Sequence, residues 1–447
     1  PEAPETPDIP EDGENEGEED EVDDVASYAA QGSIVASGSC GDNLTWTLDD
    51  QGTLTISGTG AMTSRGDWMA YQWQISTVII EDGVTSICSN AFYYMQKISS
   101  VTIPDSVTEI RNGAFKGCYS LTSITLPDNI TSIDSRAFDE ETGFYANAAN
   151  WEDGILYCGK YLLSVQDSVT ALSIKSGTLL VADSALNYAQ IEELSIPASL
   201  RSLGASNLIA CRLSALTVDS SNPFFFVEDG VLYSRKDMRA LRCLTNASGN
   251  IVIPDGITGI DSDAFASCTQ ITSVTIPDSV TYIGDYAFSD CSKLSSVYFY
   301  YGATTIGNSA FRNCSSLTTL TLPTSLTTLG DYAFYGCTSL TSATIPSMVT
   351  ALGQSVFANC TSLARVTIPD GVTSIGASAF SGCTKLKNVN IPDSVTAIGA
   401  SAFSGCAGLT YVEFLGRLAS IGNYAFSGCS SLTSAAFAGE SFSAFAG

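Results

Sequence analysis

Two consecutive stretches decide the fold: LARVTIPDGVTSIGASAFSGCTK, residues 363–385, and LKNVNIPDSVTAIGASAFSGCAG, residues 386–408. Laid over one another they agree at Leu, Val, Ile-Pro-Asp, Val-Thr, Ile-Gly and Ala-Phe-Ser-Gly-Cys, with a period of 23 residues. The same interval separates Cys268, Cys291, Cys314, Cys337, Cys360, Cys383, Cys406 and Cys429. A side chain that returns at a fixed interval marks a chain wound as a coil, each turn packing only on its neighbours. Working outward, proline recurs at Pro104, Pro127, Pro254, Pro277, Pro323, Pro346, Pro369 and Pro392, with Tyr300 in the slot between Pro277 and Pro323. Ala-Phe recurs from Ala91-Phe92 to Ala425-Phe426, with Val356-Phe357 as a variant.

Each segment of the unit has a physical reading. Leu-x-x-Val-x-Ile alternates, as a short strand with Val and Ile inward does. Proline cannot donate to a ladder and ends that strand at a corner. Val-Thr-x-Ile is a second extended piece, Gly permits the next corner, and x-x-Ala-Phe-x-x-Cys reads as one tight helical turn that drives Phe inward. The expected fold is a right-handed, β-rich solenoid of leucine-rich type. About thirteen coils stacked at strand spacing make roughly 60 Å.

The rest of the chain departs from this unit. Residues 1–27 hold four prolines and no aromatic residue, and thirteen acids lie within residues 1–24. Such a segment cannot offset its ordering entropy, and it reads as a disordered acidic tether: a stalk or a solubilising tail. Residues 28–80 read as a β cap. Asn43–Leu48 and Thr53–Ser57 alternate around a turn, the signature of a hairpin, and Trp46, Trp68 and Trp73 gather there. These tryptophans fit either a lid over the exposed core of the first coil or an aromatic carbohydrate site. Residues 81–447 form the solenoid, interrupted near 139–184 and 219–250 by similar hairpin islands, Trp151-Glu-Asp-Gly-Ile-Leu-Tyr157 and Val227-Glu-Asp-Gly-Val-Leu-Tyr233. Phe437, Phe442 and Phe445 resemble an incomplete coil.

Here the chain resembles the BspA-like bacterial surface proteins with 23-residue leucine-rich repeats. The unit LxxVxIPxxVTxIGxxAFxxC carries the likeness over residues 81–437, and the segment GSCGDNLTWTLDDQGTLTISG, residues 38–58, is similar to elements of that family. The resemblance implies a secreted or cell-surface solenoid that binds protein or glycan, with adhesion as its role and no catalytic residues to carry over. In one departure, no wall-sorting motif or membrane anchor follows the last coil. A signal peptide, removed and not present in this chain, is the expected route to the surface.

Composition narrows the alternatives. The chain has 47 acidic and 19 basic residues, a net of −28; outside the acidic segment 34 acids face 19 bases, a net of −15. Such a surface repels nucleic acid and anionic lipid. No apolar run reaches the length of a membrane span, so neither nucleic acid nor direct membrane insertion is expected. There is no histidine, which removes Ser-His-Asp, Cys-His and His-based metal chemistry. A carboxylate pair would need a cleft that a regular solenoid does not offer. No cofactor is implied, a monomer is expected, and a spacer or a carbohydrate-active enzyme stand as the alternatives to a recognition protein.

Cys118 and Cys211 join the eight cysteines above in one ladder, with Met95 and Glu141 in the same slot of other coils. A slot that accepts Met reads as a small buried hydrophobe rather than a disulfide or metal site. Cys40, Cys88, Cys158 and Cys243 lie off the ladder. Cys88 replaces the corner glycine, a position open to exposure, and a Cys40–Cys88 bridge between cap and first coil is an alternative. The aspartates after proline, Asp105, Asp128, Asp255, Asp278, Asp370 and Asp393, fit turn caps on backbone N–H groups or cation sites between coils. The outward strand position carries Thr102, Thr125, Thr217, Thr275, Thr321, Thr344 and Thr367, which suits an exposed strand. That file is broken by Tyr298, Tyr300 and Tyr301, and then at or beside it by Arg365, Lys387, Tyr411, Glu413 and Arg417. Aromatic and arginine side chains on a rigid sheet are what binding hot spots are made of, so these eight residues are the expected ligand contacts.

Overall fold

The computed structural model describes residues 32–187, 189–204, 207–209, 211–437 and 440–443; the acidic segment 1–27 lies outside them. The described chain is a β-solenoid of about seventeen turns with almost no helix, four more than the repeat unit suggests. The additional turns carry drifted residues. In the unit Ile271–Ile276 forms the first strand and Tyr282–Ile283 the second. Each pairs in parallel with its counterpart 23 residues on, as Val274 with Val297 and Ile283 with Ile306. Proline follows the first strand directly, as expected of a residue without an N–H.

The Ala-Phe-x-x-Cys segment is not a helical turn. Its N–H groups alternate between two destinations. Ala287, Ser289 and Cys291 bond back to Gly284, Tyr286 and Phe288, three residues earlier, whereas Tyr286, Phe288 and Asp290 reach across to Asn308, Ala310 and Arg312 of the next coil. The alternation is accompanied by a left-handed residue on either side of the phenylalanine, at Tyr286 (φ 57°) and Asp290 (φ 61°). The segment therefore carries a parallel ladder of its own. The corner glycine serves a different purpose from the one its position suggests: its φ is ordinary, but a Cβ on Gly284 would lie 2.4 Å from the Ser262 nitrogen of the coil below. It is there for close approach rather than for a left-handed bend.

The threonine of Val-Thr ties the coils on a further side. Thr304 donates both its N–H (2.9 Å) and its hydroxyl (3.1 Å) to the Thr281 carbonyl, and Thr327 repeats this on Thr304. Inside, the Phe265 to Phe426 rings stack with centroids 4.7 to 5.7 Å apart and planes within 15°. Ala310 and Ala333 beside them are fully buried, and any larger side chain would hold neighbouring coils apart.

Strand Thr53–Gly58 of the cap pairs antiparallel with Leu44–Asp49 and in parallel with Thr77–Ile80, so the cap grows directly into the first sheet. Trp46 and Trp68 are core residues; only Trp73 is exposed, which argues for a lid over a carbohydrate site. Trp68 stacks on Phe92 at 6.0 Å and begins the ring file. Its Nε1–H donates to the Ala91 carbonyl at 3.0 Å, the acceptor that in later coils receives a phenylalanine N–H. At the other end Ser434–Phe437 turns back antiparallel into Glu440–Ser443 instead of starting another coil.

Both islands are three-stranded antiparallel meanders. Trp151–Glu152, Ile155–Cys158 and Tyr161–Val165 form the first, and Phe225–Glu228, Val231–Ser234 and Arg239–Cys243 the second. Their Asp-Gly turns have two left-handed residues each, Asp153-Gly154 and Asp229-Gly230, the geometry that matches strand twist in a tight hairpin. The last strand of each rejoins the second parallel sheet, at Leu180–Val181 and Gly259–Ile260. The interior falls into two bodies, from Cys40 to Leu232 and from Val231 to Ala435. Within one strand, Leu232 thus packs into one body while Val231 and Tyr233 pack into the other.

All fourteen cysteines are free and buried. Each ladder thiol from Cys291 on donates to the phenylalanine carbonyl one coil back, as Cys337 to Phe311 at 3.2 Å. In the coil where arithmetic places Glu141, the neighbouring Thr142 hydroxyl makes this bond, to the Phe115 carbonyl at 3.0 Å. Glu141 is partly exposed and accepts from Tyr94. Cys88 is buried, not exposed. Burial, and for Cys40 also the nearby Cys88, pushes both thiols up to about 11.

Cys337→Thr keeps the donor and Cys337→Val does not, so the valine variant should be the less stable by about 1 kcal/mol in urea unfolding. Trp68→Phe keeps a ring but orphans the Ala91 carbonyl, and should cost about 1–3 kcal/mol. Burial raises Cys337 from 9.0 to about 12 and Cys118 likewise to about 12. A thiol held protonated in the folded state contributes nothing to the pH dependence below its unfolded value, so the ladder's contribution to stability should be constant below pH 9 and fall as pH rises from about 9 to 12. Denaturation midpoints across that range check the slope, and a thiol reagent at pH 8 should label the ladder only after unfolding.

Candidate ligand-binding face

The first strand of every coil turns one row of side chains outward, and strand register decides which of them are neighbours. Val252 stands opposite Thr275, and Thr275 opposite Tyr298. Tyr298 and Val252 are exposed, so an apolar side chain, a threonine and a tyrosine stack in a row. Tyr300 fills the proline slot. Because it has an N–H, it donates to the Ile276 carbonyl at 3.0 Å and carries the ladder one residue past its usual end. Tyr301, 77% exposed, follows at the corner, and Gly302 beyond it passes so close to Asp278 that a Cβ would meet its carbonyl at 1.8 Å. A cavity of about 420 Å³ opens beside Tyr300, floored by Val252, Thr275, Pro277 and Asp278 with Asp255 at its edge. The three tyrosines thus form one patch.

The remaining expected contacts form another. Asn388 pairs with Tyr411, and Asn390 with Glu413; Arg365 lies one period before Asn388. Arg365 and Tyr411 therefore share a row two strands apart, roughly 10 Å, with Glu413 beside them on the same face. Lys387 and Arg417 are exposed at the two corners flanking this group, Lys387 before its strand and Arg417 after Tyr411–Phe414. Leu415 occupies the proline slot as Tyr300 does, donates to Ile391 at 2.9 Å and is exposed. Between the two patches stand the coils of Thr321 and Thr344, so they are roughly 14 Å apart, and the eight residues fall into two groups rather than one.

Sequence reasoning missed the floor of the tyrosine cavity and Leu415, whose signal was the same loss of proline. It also missed a groove of about 670 Å³ along Ser99–Thr102 and Ser123–Asp128, where the first island replaces the next coil. The aspartates after proline behave otherwise than expected. Among the described residues no backbone N–H donates to any of the six carboxylates; the turn is closed by Val280 N–H on the Pro277 carbonyl at 3.2 Å, and Asp128 pairs with Lys160. Among the described residues no group of three His, Cys, Asp or Glu could hold a metal ion.

This architecture has a name among known repeats. The model of the BspA type leucine-rich repeat region matches residues 67–146, 144–228, 243–364 and 352–444, well over half of the chain. The chain belongs to this family. Solved structures similar to it include a leucine-rich cell surface protein from Faecalibacterium prausnitzii at 26% identity, covering 74% of this chain and 94% of that one with a TM-score of 0.41. A leucine-rich repeat protein from Eubacterium ventriosum is 23% identical over 84% of this chain and 95% of that one, with a TM-score of 0.39. The leucine-rich repeat protein of T. pallidum is 30% identical over 42% of this chain and 88% of that one, with a TM-score of 0.37. A search of the curated proteins returned no match.

Proposed function

We propose that this chain is a non-catalytic recognition protein of the cell surface or extracellular space, an adhesin that binds protein or glycan through its strand face. The observation that carries this reading is the tyrosine patch: Tyr298, Tyr300 and Tyr301 are 58%, 56% and 77% exposed on a sheet whose other outward positions are mostly threonine, serine and asparagine. Aromatic rings this exposed leave much of their surface unused within the fold, whereas in a complex each brings a large rigid surface at low entropic cost. The family supports a role in interaction, and a relative from F. prausnitzii is described as a cell surface protein. The net charge of −28 favours protein and glycan over polyanionic partners.

Binding to arrays of matrix proteins and glycans tests this. Replacing Tyr298, Tyr300 and Tyr301 together by alanine should weaken capture at least about thirtyfold, the loss of one hot spot. Arg365→Ala with Tyr411→Ala reports on the second patch. Binding unchanged in both sets would refute the strand face, and a chain that captures nothing would instead be a display scaffold.

A further inference from the structure

A third site lies on the turn side of the coils, away from the strand face, where the two interior bodies meet. Here Arg212, Arg242 and Arg312 line one cavity of about 580 Å³ together with Asp263, Tyr286 and Asp290. Three of the chain's 19 basic residues converge in this one place, on a surface that is otherwise acidic.

Arg242 is the informative residue. It is 4% exposed. One terminal nitrogen donates to the Cys211 carbonyl at 2.7 Å and the other to the Asp263 carbonyl. Its Nε–H, buried with the rest, has no partner, and no carboxylate pairs with the guanidinium among the ion pairs of the described residues. A buried cation held by carbonyl dipoles alone is costly. In the first island, which has the same strand register, Leu156 faces Ser164 where Leu232 faces Arg242 in the second. The equivalent position is thus served by a serine, and the arginine is an addition specific to this cavity.

The other walls narrow the ligand. Among the described residues Arg212 and Arg312 form no ion pair either; Arg312 lies over the Tyr335 ring at 5.2 Å, which holds its plane in place. Ile209 and Tyr286 are exposed at the rim, and Thr245, Ser267, Ser289 and Asn313 bring hydroxyl and amide groups. The Asp290 carboxylate is occupied by Ser289 and Asn313 at 2.8 Å each. Asp263 is held above its usual range by burial, with Arg242 opposing. Three guanidinium groups outweigh two carboxylates. A bare oxyanion would use the charge alone, whereas a ring bearing a carboxylate and hydroxyls would use the aromatic rim and the polar walls as well.

We infer that this cavity binds the carboxylate of an acidic sugar, with Arg242 as the buried anchor and Arg212 and Arg312 closing on the anion from the rim. Calorimetric titration of the full chain with N-acetylneuraminate, glucuronate, glucose and inorganic phosphate tests it. One of the two sugar acids should bind, with glucose and phosphate at least tenfold weaker. Arg212→Gln and Arg312→Gln, both on accessible side chains, should each weaken binding about tenfold, the worth of one charge-assisted bond. Arg242→Ser, the residue of the first island, should abolish it with the circular dichroism of the folded chain retained. Tyr298→Ala should leave it unchanged, so the outcome here is independent of the strand face. No binding of either acid, equal binding of glucose or phosphate, tighter binding of an oligoglutamate peptide, or indifference to both glutamine variants would each overturn the inference.

Discussion

The bond from the Phe288 N–H to the Ala310 carbonyl, one coil further on, is the constraint from which the rest follows. It sets the separation of two coils at a place where nothing but backbone fits between them. Alanine is required beside it because a larger side chain would break the spacing. The phenylalanine rings then stack at the same interval, and alternate N–H groups turn back on their own coil, with left-handed residues on either side. The phenylalanine carbonyl is left facing the next coil with a lone pair to spare, and a small buried donor is the group that satisfies it. The cysteine ladder that makes the repeat so visible is, in this structure, a series of hydrogen-bond donors.

Where the unit drifts, the same bond is kept by other means. Trp68 gives its ring N–H to Ala91; Asn207 accepts the Leu186 N–H on its side-chain oxygen at 2.8 Å; Val165 and Cys243, at the ends of the islands, donate to Ala185 and Ala264 as a phenylalanine would. Function enters through the same logic. The departures behind the proposed sites, Tyr300 and Leu415 in place of proline and Arg242 where the first island has serine, leave the inter-coil bonds intact, and the first two add one each.

The first and second strands, the corners and both Asp-Gly hairpins were legible because period and turn chemistry act locally. The number of coils was not, since Trp68 and Leu186 have no likeness in sequence to the phenylalanines they replace. The helical reading of Ala-Phe-x-x-Cys failed because bonds three residues apart are common to a helical turn and to this one; only the left-handed residues between them tell the two apart, and tyrosine at Tyr286 gives no sign of its conformation. Thr142 rather than Glu141 fills the ladder slot, since counting cannot see a one-residue shift at the start of an insertion. The rows of the strand face could be read from spacing, but their division into two patches, and the arginine cavity assembled from residues 209 to 313, needed the fold.

The second island also frees the chain from a rule that governs the coils on either side. Stacked coils must agree in phase, since a single extra residue would turn every inward side chain out. An antiparallel meander has no such memory: it accepts the chain from one run and hands it to the next at whatever phase that run needs. Tyr233 and Leu232, back to back on one strand, work as a splice. Either run can therefore be lengthened by whole repeats without disturbing the packing of the other.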